Sequence, residues 1–426
     1  MPHLARRLLA FAAAVASCAA CGAGDPPVEP GGDGLHGAVL ILLDTVRADH
    51  VSSYGHSRPT TPNIDALAER GVRFGQVVAP SPRTLPSVAG LLGGEYPARG
   101  FMRKRKLDRS LVEELAAGGL VTAAVTEGGF FSRAFGFDRG FQYYVEEEGP
   151  VQMLRPGEKR NPDSSGGIES TFRQARQWLL ENGHEPFFLL VHTYEAHTPY
   201  TRRTFTEGMD PGRVGGEVTI GFTENLREGR VTIDDAEVEY IKALYDGGVH
   251  HADRHVGEFV TFLEEIGLAD RTLVVVTSDH GEELDDHYRD RTSDHGHSMR
   301  DPLLMVPLVI YDPTRAYAQP QVTAQVRLID VVPTIADILG VGITAPIDGR
   351  SLLPLMKGEE TEGRQALATH TSKGPLRAAI RDRGFKYIAI VGQRGSTKFP
   401  KLTPPPPPEP EATTGNPDET GRQVQR

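Results

Sequence analysis

Cysteine is scarce in this chain, since only Cys18 and Cys21 occur among its 426 residues and both lie near the N-terminus. A disulfide framework or a cysteine-based zinc site in the rest of the chain is therefore excluded. Beyond the N-terminal region, no apolar stretch approaches the roughly 20 residues that a helix needs to cross a bilayer.

Positive charge is also in deficit, because 46 Lys and Arg stand against 57 Asp and Glu, for a net charge of −11. This balance argues against a general binder of nucleic acid or of anionic membrane surfaces, and we expect no nucleic-acid partner. A hydrophobic content of 38% is typical of a soluble globular protein, and the length suffices for one large α/β domain or two ordinary ones. The sequence does not indicate an oligomeric state.

The N-terminus has the pattern of a secreted bacterial lipoprotein. Two arginines precede the apolar run 8–16, which is too short to span a membrane but has the length of a signal-peptide core. The following Val-Ala-Ser-Cys resembles a lipobox, so we predict a signal peptide over 1–18 with lipidation at Cys18, followed by a flexible tether over 19–35. Cys21 is the alternative acceptor, and an ordinary cleaved signal peptide is the third interpretation. The first interpretation predicts a lipid-anchored protein of the bacterial cell envelope, facing the periplasm or the cell surface.

Apolar runs alternate with segments of helical periodicity along the next 300 residues. The runs 38–43 and 273–277 are apolar or β-branched at nearly every position, which is typical of strands buried on both faces of a parallel sheet. This alternation predicts a doubly wound α/β domain. Further strands are predicted at 121–125, 187–191, 308–311 and 321–327, and helices at 63–71, 234–266 and 330–339.

We assign residues 36–370 to one catalytic domain, with a surface excursion over the Glu/Pro/Gly/Ser-rich segment 145–168. Residues 371–395 read as a small, truncated C-terminal subdomain that retains peripheral strands over 378–390. The Pro-rich segment 396–426 is predicted to be disordered or polyproline II.

Polar side chains follow three of the predicted strands at the point where each strand ends. Asp44 follows the run 38–43, and His192 or His197 follows the run 187–191. The pair Asp279–His280 follows the run 273–277. Because parallel strands place their carboxyl ends at one edge of a sheet, these residues can converge there. Carboxylates with one imidazole suit one divalent cation, and Ca²⁺, Mg²⁺, Mn²⁺ and Zn²⁺ are all compatible. In the alternative, Asp279 caps the next helix and His280 is a surface residue.

Thr84 is the candidate nucleophile. It precedes a segment that Pro86 can start as a helix, and a hydroxyl at a helix N-terminus beside a cation has its alkoxide stabilised by both. The same backbone N–H groups can hold a phosphate or sulfate ester. A plain helix N-cap is the simpler alternative for Thr84. Arg47 and Arg83 are candidate contacts for the substrate anion, and we expect Glu282 and Glu283 to be solvated at the start of a helix.

Several ordered motifs resemble the sulfatase family of the alkaline-phosphatase-like superfamily, over about residues 37–360. They are Asp44 through Arg47 with Asp49-His50, Thr60-Thr-Pro-Asn-Ile-Asp-Ala-Leu-Ala, Thr84-Leu-Pro-Ser-Val-Ala-Gly-Leu-Leu-Gly-Gly, Thr277-Ser-Asp-His-Gly-Glu-Glu-Leu, His295-Gly-His-Ser and Asp348-Gly-Arg-Ser. The resemblance implies a mostly parallel sheet with helices on both faces, and a single metal held by Asp44, Asp279, His280 and the oxygen of Thr84. It further implies that His197, in a His-x-Pro position, contacts a non-bridging oxygen of the substrate. His297 falls near the position where the family often carries a substrate-binding Lys.

This chain departs from the family pattern at the nucleophile. Sulfatases carry Cys or Ser there, which is oxidised to formylglycine, whereas this chain has Thr84, and Val88 replaces the Arg that follows. Thr45 replaces a metal-binding Asp, and Thr126-Glu127-Gly128 replaces a Lys-Trp-His stretch. A secondary hydroxyl cannot yield that aldehyde, so the pattern resembles the phospho-transfer relatives that use an unmodified Thr.

Two hypotheses follow. In the first, the protein is a metal-dependent hydrolase or transferase of anionic esters, phosphate in preference to sulfate, with Thr84 as nucleophile and His197 or His297 protonating the leaving group. In the second, it is a catalytically silent lipoprotein that keeps the fold for binding.

Overall fold

The computed structural model describes residues 34–147, 167–370, 376–382 and 384–392. The predicted signal peptide with Cys18, most of the predicted tether, the Pro-rich segment and most of the 145–168 excursion lie outside the described residues.

The secondary structure alternates strands and helices, as expected. The strands are β1 Gly37–Leu43, β2 Val72–Val78, β3 Val121–Thr126, β4 Tyr143–Glu146, β5 Phe187–Thr193, β6 Thr272–Ser278, β7 Met305–Val306, β8 Leu308–Tyr311, β9 Gln321–Arg327, β10 Ala366–His370, β11 Leu376–Asp382 and β12 Phe385–Gly392. The α-helices are α1 Pro62–Arg70, α2 Thr84–Gly93, α3 Phe101–Lys104, α4 Val112–Ala117, α5 Ile168–Asn182, α6 Ile220–Arg227, α7 Asp235–Glu265, α8 Asp301–Leu304, α9 Val331–Ile338 and α10 Leu353–Lys357.

Nine strands form the main sheet in the order β4-β3-β5-β1-β6-β8-β2-β7, with β9 paired to β2. The neighbours β4, β3, β5, β1 and β6 are parallel, and β8 runs antiparallel to β6. Leu43 pairs with Thr193 of β5 and with Ser278 of β6, so these three strands end at the same level. This shared register brings the residues that follow them to one edge.

Helices cover both faces of the sheet because β1 is apolar at every position. Alternate residues Leu40 and Leu42 belong to the core that α2, α4, α9 and α10 complete. Val39, Ile41 and Leu43 belong to a second core that includes residues of α1, α5 and α7. The predicted doubly wound, mostly parallel α/β fold is confirmed.

The strand β2 and the helix α5 were missed by the sequence analysis. Gly75 and Gln76 interrupt the apolar pattern of β2, and α5 begins at Ile168, the last residue of the predicted surface excursion. The separate antiparallel sheet β10-β11-β12 begins at Ala366, inside the range that we assigned to the catalytic domain. Among the described helices, none combines the length and apolar character needed to cross a membrane.

Candidate active site

The carboxyl edge of the main sheet gathers four of the predicted residues. Asp44 directly follows β1, Asp279 and His280 follow β6, and Thr84 is the first residue of α2. All four are buried, and ligand atoms of Asp44, Asp279 and His280 lie within 4.8 Å of one another. Thr84 Oγ1 donates a hydrogen bond to Asp44 Oδ2 at 3.2 Å and lies 3.2 Å from His280 Nε2.

Asp279 is held with one oxygen engaged and the other open. Its Oδ1 accepts hydrogen bonds from the backbone N–H groups of Thr45 (3.2 Å) and His280 (2.8 Å). Thr45 has a left-handed φ of 61°, a conformation that is unusual for a threonine and that belongs to the turn carrying this N–H group. Asp279 Oδ2 and Asp44 Oδ1 are buried and have no hydrogen-bond partner among the described residues.

These residues fit a divalent cation. Burial, and then the neighbouring Asp279, raise the pKa of Asp44 well above its ordinary value, because two ionised carboxylates are costly in a dry site. His280 Nδ1 lies 2.8 Å from the carbonyl of Gly281, which makes Nδ1 the donor and leaves the Nε2 lone pair toward Thr84. Two open carboxylate oxygens and one imidazole lone pair are the donor set that the sequence predicted.

A cavity of about 340 Å³ lies over Thr84. It combines two arginines with apolar and aromatic walls, and its lining residues are Arg83, Thr84, Leu85, Pro86, Phe101, Met102, Arg105, Phe130, His295 and His370. The Arg83 guanidinium lies 5.8 Å from the centre of the Phe130 ring. The cavity therefore suits an ester whose anionic group faces Thr84 and whose other part is at least partly apolar.

Three histidines line up beside the cavity. The ring of His295 lies 4.5 Å from that of His280 and 5.2 Å from that of His197, between centroids. His295 Nδ1 lies 3.1 Å from Glu282 Oε1, and Glu282 Oε2 accepts a hydrogen bond from the Tyr200 hydroxyl at 3.0 Å. Because a carboxylate can only accept, Nδ1 of His295 carries the proton and Nε2 is the reactive nitrogen.

His297 is the residue of the His-Gly-His stretch that the sequence predicts, whereas the residue that lines the cavity is His295. The ring of His297 packs 5.4 Å from that of Tyr288, and its Nε2 lies 3.7 Å from Glu283 Oε2. The expectation that Glu282 and Glu283 are solvated is wrong, since both are fully buried. The sequence carries no signal for the pairing of His295 with Glu282, because the burial of Glu282 is visible only in the structure.

Arg47 does not contact the cavity as predicted, because its five N–H groups are engaged elsewhere. It donates to both oxygens of Asp49, to both oxygens of Asp286 and to the backbone carbonyl of Glu282. No donor is left for a substrate anion, so Arg47 fixes the loop after β1 against the loop after β6. Arg83, in contrast, lines the cavity.

Of the two histidines considered at the end of β5, His192 is the buried one. It packs between Phe131 and Tyr194, and its Nε2 lies 3.6 Å from Asp44 Oδ2. Burial lowers the pKa of His192 to about 3, so this ring is neutral behind Asp44. His197 lies farther along the loop, beside His295, and its Nδ1 donates to the carbonyl of Thr198 at 2.7 Å.

The fold is shared with solved structures of other proteins. One is a phosphonate monoester hydrolase of Agrobacterium radiobacter, with a TM-score of 0.66, 22% identity and coverage of 84% of this chain and 87% of that one. The family model for sulfatases matches residues 37–341, and the chain belongs to the sulfatase family.

Two curated relatives are consistent with that assignment. Human arylsulfatase A is 26% identical over 418 residues, covering 84% of this chain and 75% of the relative. The multifunctional alkaline phosphatase superfamily protein PehA of Trinickia caryophylli is 29% identical over 228 residues, covering 47% of this chain and 43% of the relative. The predicted family is thus confirmed, and the protein is a sulfatase-family hydrolase.

Proposed function

We propose that this protein is a metal-dependent hydrolase or transferase of phosphate esters, with Thr84 as its nucleophile. The observation that supports this proposal is the placement of the Thr84 hydroxyl, 3.2 Å from both Asp44 Oδ2 and His280 Nε2, beneath a cavity lined by two arginines. A hydroxyl that served only as a helix cap would not need this setting, and the N-cap position of α2 is Arg83, one residue before Thr84.

Asp44, Asp279, His280 and Thr84 would hold one divalent cation, and Ca²⁺, Mg²⁺, Mn²⁺ and Zn²⁺ remain compatible with these donors. When bound, such a cation lowers the pKa of a neighbouring hydroxyl and offsets the charge that develops on a transferred phosphoryl group. It would also satisfy the open oxygens of Asp44 and Asp279.

In the first step, Thr84 Oγ1 attacks the phosphorus atom as its proton passes to Asp44 Oδ2, and the bond between phosphorus and the leaving oxygen breaks. His295 enters this step as the imidazolium, with its Nδ1 held by Glu282, and the leaving oxygen takes the proton from Nε2. Arg83 and the first N–H groups of α2 bind the non-bridging oxygens, and His197 contributes a further contact.

In the second step, water or an acceptor hydroxyl attacks the phosphoryl group on Thr84 and gives its proton to His295. Thr84 recovers its proton from Asp44 as the bond between phosphorus and Oγ1 breaks. Each group returns to its starting protonation state, so the cycle balances.

The choice of phosphate over sulfate rests on the chemistry of Thr84. Its secondary hydroxyl cannot become the aldehyde with which sulfatases expel sulfate, whereas a phosphoryl-threonine can be hydrolysed in a second displacement. The names of the relatives point both ways, since they include arylsulfatases and a phosphonate monoester hydrolase.

The test compares wild type, Thr84→Ser and Thr84→Ala on aryl phosphate, aryl phosphodiester, phosphonate and aryl sulfate esters, each with Ca²⁺, Mg²⁺, Mn²⁺ or Zn²⁺. We expect phosphorus esters to be turned over faster than sulfate, Thr84→Ser to retain measurable activity, and Thr84→Ala to lose about a thousandfold or more. Full activity in Thr84→Ala, or efficient sulfate turnover that depends on Thr84, would contradict the proposal.

The catalytically silent alternative makes a different prediction for the same preparations. A binding protein has no need of a cation at Asp44, Asp279 and His280, so purified protein would carry none at these residues and would turn over no ester. Tightly bound metal that Asp279→Asn removes, together with turnover of any ester in the panel, would exclude it.

We also propose that the protein is anchored in the cell envelope by a lipid on Cys18, a residue outside the described part of the chain. The support is the lipobox-like sequence. Cys18→Ala should release the protein from the membrane fraction while Cys21→Ala should not, and the reverse result would move the lipid to Cys21. Release by neither change would indicate an ordinary signal peptide.

A further inference from the structure

We propose that Glu169, His251 and His255 form a second divalent-cation site, of the kind that zinc occupies, between helices α5 and α7. His251 and His255 are four residues apart and therefore share one face of α7. Glu169 reaches them from the first turn of α5. One ligand atom of each residue lies within 4.8 Å of the others, and His251 Nε2 is 3.7 Å from Glu169 Oε1.

His255 provides an independent indication of a missing partner. Its side chain is 7% exposed and its Nδ1 lies 3.3 Å from Glu258 Oε2, whereas Nε2 has no hydrogen-bond partner within the described part of the chain. The nitrogens of buried imidazoles ordinarily have a hydrogen-bond partner or a metal, so the unpartnered nitrogen of His255 indicates a ligand-binding position.

His251 is in the tautomer that a metal ligand requires. Its Nδ1 lies 2.9 Å from Glu195 Oε1, and its Nε2 lies 2.8 Å from an N–H group of Arg254. Because a guanidinium only donates, Nε2 holds a lone pair and Nδ1 holds the proton. A histidine whose other nitrogen faces a carboxylate is the arrangement seen behind zinc ligands.

The spacing also suits zinc. Bonds of about 2.0–2.1 Å to nitrogen and oxygen place neighbouring ligand atoms of a tetrahedral ion roughly 3.3 Å apart. The three ligand atoms lie within 4.8 Å of one another, so they would have to approach by at most about 1.5 Å. Two imidazoles with one carboxylate favour zinc or another late divalent metal over Ca²⁺ or Mg²⁺. Water can supply the fourth ligand.

The charges around the site oppose a cation only weakly. Three carboxylates, Glu169, Glu195 and Glu258, face three guanidinium groups, Arg176, Arg202 and Arg254. Arg202 pairs with Glu195 and Arg176 with Glu258, while the Arg254 side chain is 54% exposed and can turn away from His251 Nε2. An incoming cation would replace the contact of Arg254.

Such a cation would be structural. It would fasten the start of α5 to the middle of α7, and through Glu195 to the loop after β5. That loop carries His197 two residues farther on, so the site would brace a wall of the active site without touching the substrate.

The experiment uses the full chain and Zn²⁺ as the probe, with zinc per chain measured after equilibrium dialysis. We expect two equivalents for wild type, one for Asp279→Asn, one for His251→Gln/His255→Gln, and none for the three changes combined. His184→Gln, at a residue whose side chain is 72% exposed, is the matched control and should keep two. Circular dichroism checks the fold of each variant.

Should the double variant not fold, Glu169→Gln replaces it, because that side chain is 57% exposed and lies outside the core. In the Asp279→Asn background it should weaken the remaining zinc site at least tenfold. Unchanged zinc content in the folded double variant, or unchanged affinity in Glu169→Gln, would overturn the proposal.

Discussion

The carboxyl edge of the main sheet holds the buried pair Asp44 and Asp279 and the buried single carboxyl of Glu127. The pair and Glu127 differ in how many of their oxygens have hydrogen-bond partners. Asp44 and Asp279 are fully buried, and one oxygen of each has no hydrogen-bond partner among the described residues. Glu127 follows β3 and is equally buried, but Oε1 accepts from the Thr193 hydroxyl at 2.6 Å and Oε2 from the Tyr194 N–H at 3.1 Å. Burial raises the pKa of Asp44, and it raises that of Glu127 to about 8.

A raised pKa therefore reports burial and not function at these positions. What separates the pair from Glu127 is whether the oxygens are already satisfied. The open oxygens of the Asp pair can be completed by a cation, whereas a proton completes Glu127, which then donates to Thr193 while still accepting from Tyr194. The carboxylate oxygens without a hydrogen-bond partner, Asp44 Oδ1 and Asp279 Oδ2, therefore identify the candidate catalytic site better than a raised pKa does.

The largest effect is expected from Asp279→Asn. The amide keeps the shape of the side chain but removes the charge, so we expect loss of one equivalent of metal at this site and a fall in ester turnover of about a thousandfold or more. Metal content and kcat measured on the same preparations check this. Turnover within tenfold of wild type at saturating metal would contradict the proposed role of Asp279.

The same variant also tests the difference between the pair and Glu127. In a metal-free buffer, Asp279→Asn should raise the unfolding temperature, because it removes the repulsion that acts on Asp44. Metal that binds at Asp44, Asp279 and His280 should stabilise wild type but not the variant. Equal stability of the two proteins without metal would mean that the paired carboxylates carry no such strain.

Glu127→Gln should change the pH dependence of stability. Below pH 4.5 the folded and unfolded chains both hold the Glu127 proton, so its full contribution is present. Between pH 4.5 and about 8 the unfolded chain releases the proton while the folded chain keeps it, so stability falls by about 1 kcal/mol per pH unit. Above about pH 8 no further loss occurs, because both chains have then released the proton.

The amide introduced by Glu127→Gln mimics the protonated acid at every pH. The variant should therefore become progressively more stable than wild type as the pH rises from 4.5 to about 8. Denaturant unfolding of both proteins across this range measures the difference and cancels the titration of other groups. A difference that does not vary with pH would show that Glu127 is ionised in the folded protein.

His295 and His297 form a matched pair for the next effect, since each lies near one buried glutamate at 3.1 and 3.7 Å, respectively. His295→Gln should lower kcat for esters with poor leaving groups by about a hundredfold and remove one limb of the pH–rate profile. His297→Gln should leave that limb in place. If His297→Gln alone alters the profile, the assignment made from the sequence was the better one.

The fold and the centre of the site could be predicted because both depend on local signals. Strands β1 and β6 contain long runs of apolar residues, and potential metal ligands follow each strand directly. Asp44, Asp279 and His280 can therefore be found from the sequence. The register between Leu43 and Ser278, which brings them together, follows from the rule that parallel strands share an edge.

The remaining parts of the site depend on pairings that no local pattern reveals. Arg47 follows a strand, as a substrate contact would, but its role is decided by Asp286, which is 239 positions away. Glu282 looks solvated beside other acidic residues until Tyr200 and His295 are seen to enclose it. Long-range satisfaction of hydrogen bonds decided these roles, and a sequence shows only the groups that need it.

The smallest effect concerns the two arginines, of which Arg83 lines the cavity and Arg47 does not. Arg83→Met removes a charge from the wall of the cavity, so KM for an anionic ester should rise about tenfold while the unfolding temperature changes little. Arg47→Met leaves Asp49 and Asp286 without their shared partner and should lower the unfolding temperature instead, with any loss of activity recovered at lower temperature. The measurement is KM and thermal unfolding for both variants with the same aryl phosphate. A selective rise of KM in Arg47→Met, at unchanged stability, would mean that its hydrogen bonds to Asp49 and Asp286 open to admit the substrate, and that Arg47 binds the substrate although it does not line the cavity.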